Sequence, residues 1–128
     1  MDSTTQEKYL QLALRLFGAV FMLVYPLAMV WPSGWQWHGG EGAYYFQMIV
    51  GVYAVLGIFL IMAAKNPAEH RSLIAFTIWS SVVHAVIMAV QAIGDPAEQG
   101  HLVGDVPALL LVAIVLRILS PTPTRDQT

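Results

Sequence analysis

The amino-acid sequence predicts an all-α fold, a four-helix transmembrane bundle with both termini in the cytoplasm. Three observations predict it: charged residues are scarce, four apolar segments are long, and the basic residues fall on one side. Of 128 residues, 57% are hydrophobic and only 11% are charged. Soluble domains carry about a quarter charged residues, because water must wet their surface. The charge in this chain is too sparse for that, which indicates lipid as the surrounding solvent.

Four apolar segments are long enough, or nearly so, to cross a hydrocarbon core about 30 Å thick. The predicted spans cover residues 9–30, 44–64, 72–93 and 106–119. The first apolar run ends at Trp31 without a small-residue cleavage site, so we expect this span to be retained rather than removed as a signal peptide. The fourth is short, and we expect a helical stretch from Pro96 to add depth. Residues 1–119 are thus predicted to form the bundle, and the Pro/Thr-rich residues 120–128 a disordered polar tail.

Three positions carry helix-start signals. Asn66 and Asp95 each precede a Pro-Ala-Glu sequence, which puts an N-cap residue before Pro at the first helical position and Glu at the third. Gly104 is interpreted as a break before the fourth span. We expect Asp105, which follows it, to act as the N-cap of that span.

The basic residues indicate the orientation of the chain. They are Lys8, Arg15, Lys65, Arg71, Arg117 and Arg125, and a four-span topology puts all six on one side. The loops on the other side, residues 31–43 and 94–105, contain no Lys or Arg. The positive-inside rule assigns the basic side to the cytoplasm. We therefore expect a multi-pass protein of the bacterial inner membrane.

The first outer loop is rich in tryptophan, with Trp31, Trp35 and Trp37. Such residues are typical of the aromatic belt at the membrane interface. The functional interpretation is a lid over a cavity that opens outward. In that interpretation the three tryptophans form the rim, together with Asp105 at the outer end of the fourth span.

The third span carries a polar stripe. Its members are Thr77, Ser81, His84, Met88 and Gln91. They follow one another at steps of 4, 3, 4 and 3 residues, which puts them on one helix face. Hydroxyl, imidazole and amide groups are costly in lipid, so this face is predicted to point into the bundle. His84 lies about 13 residues, or roughly 20 Å, from Arg71 and thus near the membrane midplane.

Two further helix faces are expected to complete a cavity beside this stripe. The face on the first span carries Arg15, Gly18, Met22, Tyr25 and Met29. On the second span Gln47, Gly51 and Ala54 share a face, where small residues let helix backbones approach. The predicted ligand-binding residues are His84, Gln91, Ser81, Met88, Tyr25 and Gln47. The structural alternative is that these polar groups only hydrogen-bond the helices to one another.

No motif assigns a metal, a cofactor or a catalytic residue. Cysteine is absent, and no two histidines are spaced to form a metal or haem site on one helix. No metal site is predicted, although a copper site from His38, His101 and a methionine stays open. A chlorin pigment, which needs one axial histidine, also stays open for His84. No nucleophile elbow occurs, and no basic patch suggests nucleic acid.

Several segments resemble known proteins. They are Tyr25-Pro26 through residue 35, YYFQMIVGVYAVLG at 44–57, NPAEHRS at 66–72 and WSSVVH at 79–84. Over about residues 9–119 the chain resembles an uncharacterised family of small bacterial membrane proteins, itself distantly similar to DoxX-type four-helix proteins. DoxX-type proteins are associated with quinone-linked or redox partner complexes in some lineages. The resemblance implies a four-helix fold and a lipid-like ligand or a membrane partner.

We hypothesise that the protein binds a lipid-like small molecule, such as a quinone, an isoprenoid or a pigment, in an outward-biased intramembrane pocket. His84 would hold the polar end of the molecule, assisted by Gln91 and Tyr25. The alternative is an accessory or scaffold subunit of a larger membrane complex or a homo-oligomer. A third hypothesis is a lipid-modifying enzyme with His84 as general base and Asp105 or Glu41 as its partner acid.

The orientation can be tested by labelling Lys65. We expect a membrane-impermeant amine reagent to reach Lys65 in inverted vesicles but not in intact cells, because the positive-inside rule puts this loop in the cytoplasm. Peptide mass spectrometry identifies the modified lysine. Labelling of Lys65 from the periplasmic side alone would contradict the predicted orientation.

Overall fold

The computed structural model of the protein describes residues 2–35 and 44–121. Of these residues 90% are helical, and none of them forms a strand. The α-helices are α1 (Ser3–Met22), α2 (Val24–Val30), α3 (Pro32–Trp35), α4 (Tyr44–Ala63), α5 (Arg71–Gly94) and α6 (Asp105–Leu119). Two 3₁₀ segments, Pro67–His70 and Pro96–Leu102, precede α5 and α6. The predictions for Trp37, His38, Glu41 and residues 122–128 lie outside the described residues.

Three helical segments in the described ranges are long and apolar enough to cross a membrane: Tyr44–Ala63, Pro67–Gly94 and Pro96–Leu119. The pair α1 and α2 is bent by 60°, and it makes a fourth span if the two helices are counted together. An all-helical chain with three to four such helices is therefore confirmed. As expected, the stretch from Pro96 lengthens the last of them.

The first predicted span, residues 9–30, is divided by a bend into α1 and α2. The helical segment begins at Ser3 and breaks at Leu23, whose amide bonds Val20 three residues back rather than four. Pro26 explains the break, since it has no amide hydrogen to donate to the carbonyl of Met22 and its ring crowds that carbonyl. Regular bonding resumes from Leu27 to Leu23 at 3.0 Å. The bend turns α2 away from the axis of α1.

The bundle is assembled from two helix pairs, α1 with α4 and α5 with α6, and α1 also contacts α6. Each helix buries an apolar face at the centre. The largest fully buried apolar side chains are Leu14, Leu60 and Leu116. The opposite faces expose large apolar residues such as Phe59, Trp79 and Ile118. Apolar residues on both faces are typical of helices surrounded by lipid.

The backbones of α1 and α4 touch at two glycines. A Cβ built on Gly18 would lie 2.6 Å from the carbonyl oxygen of Gly57, and a Cβ on Gly57 would clash with the carbonyl oxygen of Gly18. Neither position tolerates a side chain without moving the helices apart. Small residues of this kind allow close helix packing in lipid, where no hydrophobic effect draws helices together.

The predicted small-residue face of the second span was wrong. Gln47 and Gly51 are exposed, and a Cβ on Gly51 would meet nothing within 4 Å. The packed face instead carries Phe46, Gly57 and Leu60. Gln47 is one residue beyond Phe46, and one residue turns a helix by about 100°, so the predicted face points away from the bundle.

At one end of the bundle, the α3 turn and the residues between α5 and α6 pack backbone against backbone. A Cβ on Gly100 would clash with the carbonyl oxygen of Ser33, and one on Gly104 with that of Gly34. Gly34 itself lies under the ring of Trp31. At the other end the Gln6 side-chain amide donates to the carbonyl of Ile118 at 3.4 Å, so that the first turn of α1 lies beside the last turn of α6.

We expect Gly57→Ala to lower the stability of the protein by about 1–3 kcal/mol, because the new methyl group overpacks the contact between α1 and α4. The thermal unfolding midpoint in detergent measures the change. Gly51→Ala is the matched control on the same helix: it meets open space, and alanine favours the helix by up to about 1 kcal/mol. An equal effect of the two substitutions would mean that the glycine contact does not hold the helices together.

Candidate functional site

A cavity of about 380 Å³ lies between the helices, on the side of the bundle toward the α3 turn. Most of its wall is apolar or aromatic, with Phe17, Phe21, Leu27, Phe46, Leu109 and Val112. Polar groups reach the wall from Trp35, Tyr53, His84 and Asp105. The cavity thus combines a large apolar surface with a few polar groups, the composition typical of small-molecule sites.

Tyr53 and His84 form a hydrogen-bonded pair across the cavity wall. The Tyr53 hydroxyl bonds Nδ1 of His84, and the two rings stack with centroids 5.6 Å apart at 22°. Tyr53 also packs against the ring of Phe21 at 5.1 Å. If the hydroxyl donates, Nδ1 is the acceptor and the imidazole proton lies on Nε2. The pair therefore fixes the ring of His84 and leaves Nε2 as its second hydrogen-bonding atom.

The predicted polar stripe on α5 faces inward over most of its length. Thr77, Ser81 and Met88 are buried, and His84 is half-buried. Gln91 is exposed, and Ala92 takes the inward position. The reason is the helical period: steps averaging 3.5 residues drift around a straight helix of 3.6 residues per turn. His84 and Met88 line the cavity, whereas Thr77 bonds its own helix at the carbonyl of Leu73.

The other predicted ligand-binding residues lie elsewhere. Tyr25 is on α2, 37% exposed, and contacts the ring of Phe46 with centroids 6.3 Å apart. Tyr25 follows the bend at Leu23, so the helical period of α1 does not predict the direction of its side chain. Gln47 is exposed beside Phe46. Neither side chain is among the described residues that line the cavity.

Of the predicted rim tryptophans that the structure describes, Trp35 lines the cavity and Trp31 covers Gly34. The indole nitrogen of Trp35 is buried and has no hydrogen-bond partner within the described residues. Buried donors without a partner are uncommon in folded proteins, because they lose their bond to water without replacement. The indole N–H is therefore a candidate donor toward the cavity.

A buried cluster of two acids and a histidine adjoins the cavity at Asp105. Nδ1 of His101 lies 2.9 Å from both carboxylate oxygens of Asp105, and Nε2 lies 3.1 Å from Oε2 of Glu98. His101 is fully buried, and both acids are nearly so. The 3₁₀ segment supplies Glu98 and His101, whereas Asp105 is the first residue of α6. The cluster ties this segment to the helix that follows it.

The hydrogen bonds of this cluster determine its proton content. Each ring nitrogen of His101 faces a carboxyl oxygen, so each contact needs one hydrogen. The hydrogen between Nε2 and Glu98 can belong to an imidazolium ion or to a neutral carboxylic acid. Both arrangements give the three side chains the same net charge of minus one.

The prediction that Asp105 caps α6 was wrong, because the N-cap position is Gly104. Asp95 does cap its segment, accepting a bond from the amide of Ala97 at 3.0 Å. The sequence contained a signal for the buried cluster. Glu98, His101 and Asp105 are spaced three and four residues apart, and the Glu-x-x-His pair within them was overlooked in our interpretation.

Within residues 2–35 and 44–121 no group of three His, Asp or Glu side chains is arranged to hold a metal ion. Both nitrogens of His101 face carboxyl groups, which is unfavourable for the copper site left open above. The other histidine of that hypothesis, His38, lies outside the described residues.

Residues 4–127 match a family of unknown function, DUF6632, and the chain belongs to this family. The expected membership in an uncharacterised family is thereby confirmed, whereas no link to DoxX-type proteins is shown. Neither the search of curated proteins nor the search of solved structures returned a match.

We expect His101→Leu to destabilise the protein by about 3–5 kcal/mol, because it leaves two buried carboxyl groups without the imidazole between them. Unfolding in mixed detergent micelles, followed by circular dichroism, measures the loss. His70→Leu, a half-buried histidine at the opposite end, is the control and should change little. Comparable losses in both variants would show that the cluster contributes nothing specific.

Proposed function

We propose that this protein is a membrane-embedded binding protein for a lipid-like small molecule with a hydrogen-bonding head, such as a quinone or an isoprenoid. The observation that supports it is the Tyr53–His84 pair in the wall of the apolar cavity. Polar side chains are expensive within a membrane and are typically functional there. In this proposal the protein lies in the bacterial inner membrane with both termini in the cytoplasm, as its basic residues predict.

The polar groups of the cavity define the head that it would accept. Nε2 of His84 and the indole N–H of Trp35 offer hydrogen bonds to carbonyl or hydroxyl oxygens, and the Asp105 carboxylate can accept one from a hydroxyl. The same carboxylate disfavours an anionic head, such as that of a fatty acid. A neutral head fits these groups best, because quinone carbonyls can accept from His84 and Trp35 and a hydroxyl can also donate to Asp105.

The shape of the cavity suits a ligand whose tail stays in the lipid. Its volume of about 380 Å³ is enough for a ring and a short chain but not for a whole long-chain lipid. Val20 on α1 and Leu111 on α6 line it and are also exposed on the outer surface of the bundle. The cavity therefore reaches the lipid-facing surface between these helices, where a tail can leave it.

We expect His84→Leu to keep the fold but to lose a molecule that co-purifies with the protein, because the substitution removes the hydrogen bond to its head. Native mass spectrometry of protein extracted gently from its own membranes detects the bound mass. Gln91→Leu is the matched control, since it removes a polar group from the same helix outside the cavity.

Decylubiquinone serves as a defined probe in the same comparison. Quenching of tryptophan fluorescence should show binding to the wild type and to the Gln91 variant, with at least about tenfold weaker binding to His84→Leu. Equal binding by all three proteins would disprove the role of His84. Co-release of another polypeptide without any small molecule would favour the accessory-subunit hypothesis instead.

A further inference from the structure

A second cavity lies at the opposite end of the bundle, and its chemistry differs from that of the first. It encloses about 520 Å³ between the first turn of α1, the segment that leads into α5, and the end of α6. It shares no described lining residue with the cavity around His84. Any ligand of this cavity is therefore independent of the proposed function.

The charged groups of this second cavity favour an anion. Arg71, the first residue of α5, and Arg117, in the last turn of α6, both line it. Glu7 is the one carboxylate among its described lining residues. Two guanidinium groups against one carboxylate leave a net charge of plus one. Guanidinium groups bind phosphate with paired, charge-assisted hydrogen bonds.

Further hydrogen-bond donors line the same cavity. Ser3 begins α1, a helix of 20 residues, and lines the cavity, and its N-cap residue Asp2 makes no side-chain hydrogen bond to the first turn. The amide groups at a helix start favour a bound anion. The Ser120 hydroxyl also lines the cavity, and its oxygen is buried without a hydrogen-bond partner among the described residues.

The remaining wall of this cavity is apolar and continues to the lipid-facing surface. Leu10, Ile74 and Ile78 form its buried part. Trp79 follows on α5 and is 64% exposed on the outside of the bundle. An acyl chain that starts beside the arginines can lie along this surface. A free inorganic phosphate would use the guanidinium groups but would leave the apolar wall without a contact.

We infer that this cavity is a binding site for an anionic phospholipid, whose phosphate lies between Arg71 and Arg117 and whose acyl chain lies along Ile78 and Trp79. Basic pockets between membrane helices on the cytoplasmic side bind anionic lipid head groups. The positive net charge selects an anionic head over a zwitterionic one, whose ammonium group would lie near the arginines. The lipid would hold together α1, α5 and α6, which supply the walls.

Native mass spectrometry tests this site with two lipids of the same chain length. The protein is equilibrated in mixed micelles with equal amounts of phosphatidylglycerol and phosphatidylcholine, and the retained lipids are counted. We expect the wild type to retain phosphatidylglycerol preferentially, and Arg71→Gln with Arg117→Gln to reduce that preference by roughly tenfold. Equal retention of the two lipids by the wild type would overturn the inference.

The matched control is Lys8→Gln with Lys65→Gln. These substitutions remove the same charge from residues that do not line the cavity, so the preference should persist. Equal losses in the two double variants would attribute the preference to general surface charge and overturn the site. Inorganic phosphate at millimolar concentration should not displace the lipid. Displacement would mean that the cavity binds phosphate without recognising a lipid.

A measurement on the wild type covers the case in which the Arg variants do not fold. Phenylglyoxal modifies accessible arginines, and peptide mass spectrometry reports the rate at each. Short-chain phosphatidylglycerol should protect Arg71 and Arg117 at least about fivefold, and leave Arg15, which is exposed and outside the cavity, unprotected. Uniform protection of all three, or none at all, would contradict the inference.

Discussion

The contact between Gly18 and Gly57 is the constraint on which the shape of the interior depends. It holds α1 and α4 at backbone distance at one level of the bundle, and five residues further along α1 the chain breaks at Leu23. Beyond that break α2 leaves the axis of α1, and the helices can no longer fill the space between them. The cavity opens at this level, lined by Phe21 before the break and by Val24 after it. The cavity therefore lies beside both a close helix contact and a bend.

The end of the bundle at the α3 turn is held by polar and backbone contacts. Gly100 and Gly104 let the 3₁₀ segment pack directly against the α3 turn, and His101 connects Glu98 with Asp105 beneath it. Asp105 belongs both to this buried cluster and to the cavity wall, since it pairs with His101 and also lines the cavity. Tyr53 lines the same cavity as Asp105. Asp105 therefore connects this end of the bundle with the cavity.

Composition and hydropathy were sufficient to predict the helical class and the candidate spans, because lipid demands long apolar segments whatever their packing. The inward face of α5 was predictable near its centre, where Ser81 and Met88 are buried, but not at Gln91, where the drift between 3.5 and 3.6 residues per turn had accumulated. Tyr53 was missed because a one-residue error on α4 selected the face of Gln47. The contact between Glu98 and His101 places two ionisable side chains in the interior, and hydropathy alone predicts such residues in a loop.

The opening of the cavity between Val20 and Leu111 changes how the affinity of a ligand must be expressed. A molecule that enters from the side is already dissolved in the bilayer, so its occupancy depends on its mole fraction among the lipids. Most of the transfer of its tail out of water is complete before it reaches the protein. Under the proposed function, the hydrogen bonds at His84 and Trp35 then need only distinguish the ligand from the surrounding lipids. A modest intrinsic affinity is sufficient for high occupancy by a molecule that is abundant in the membrane.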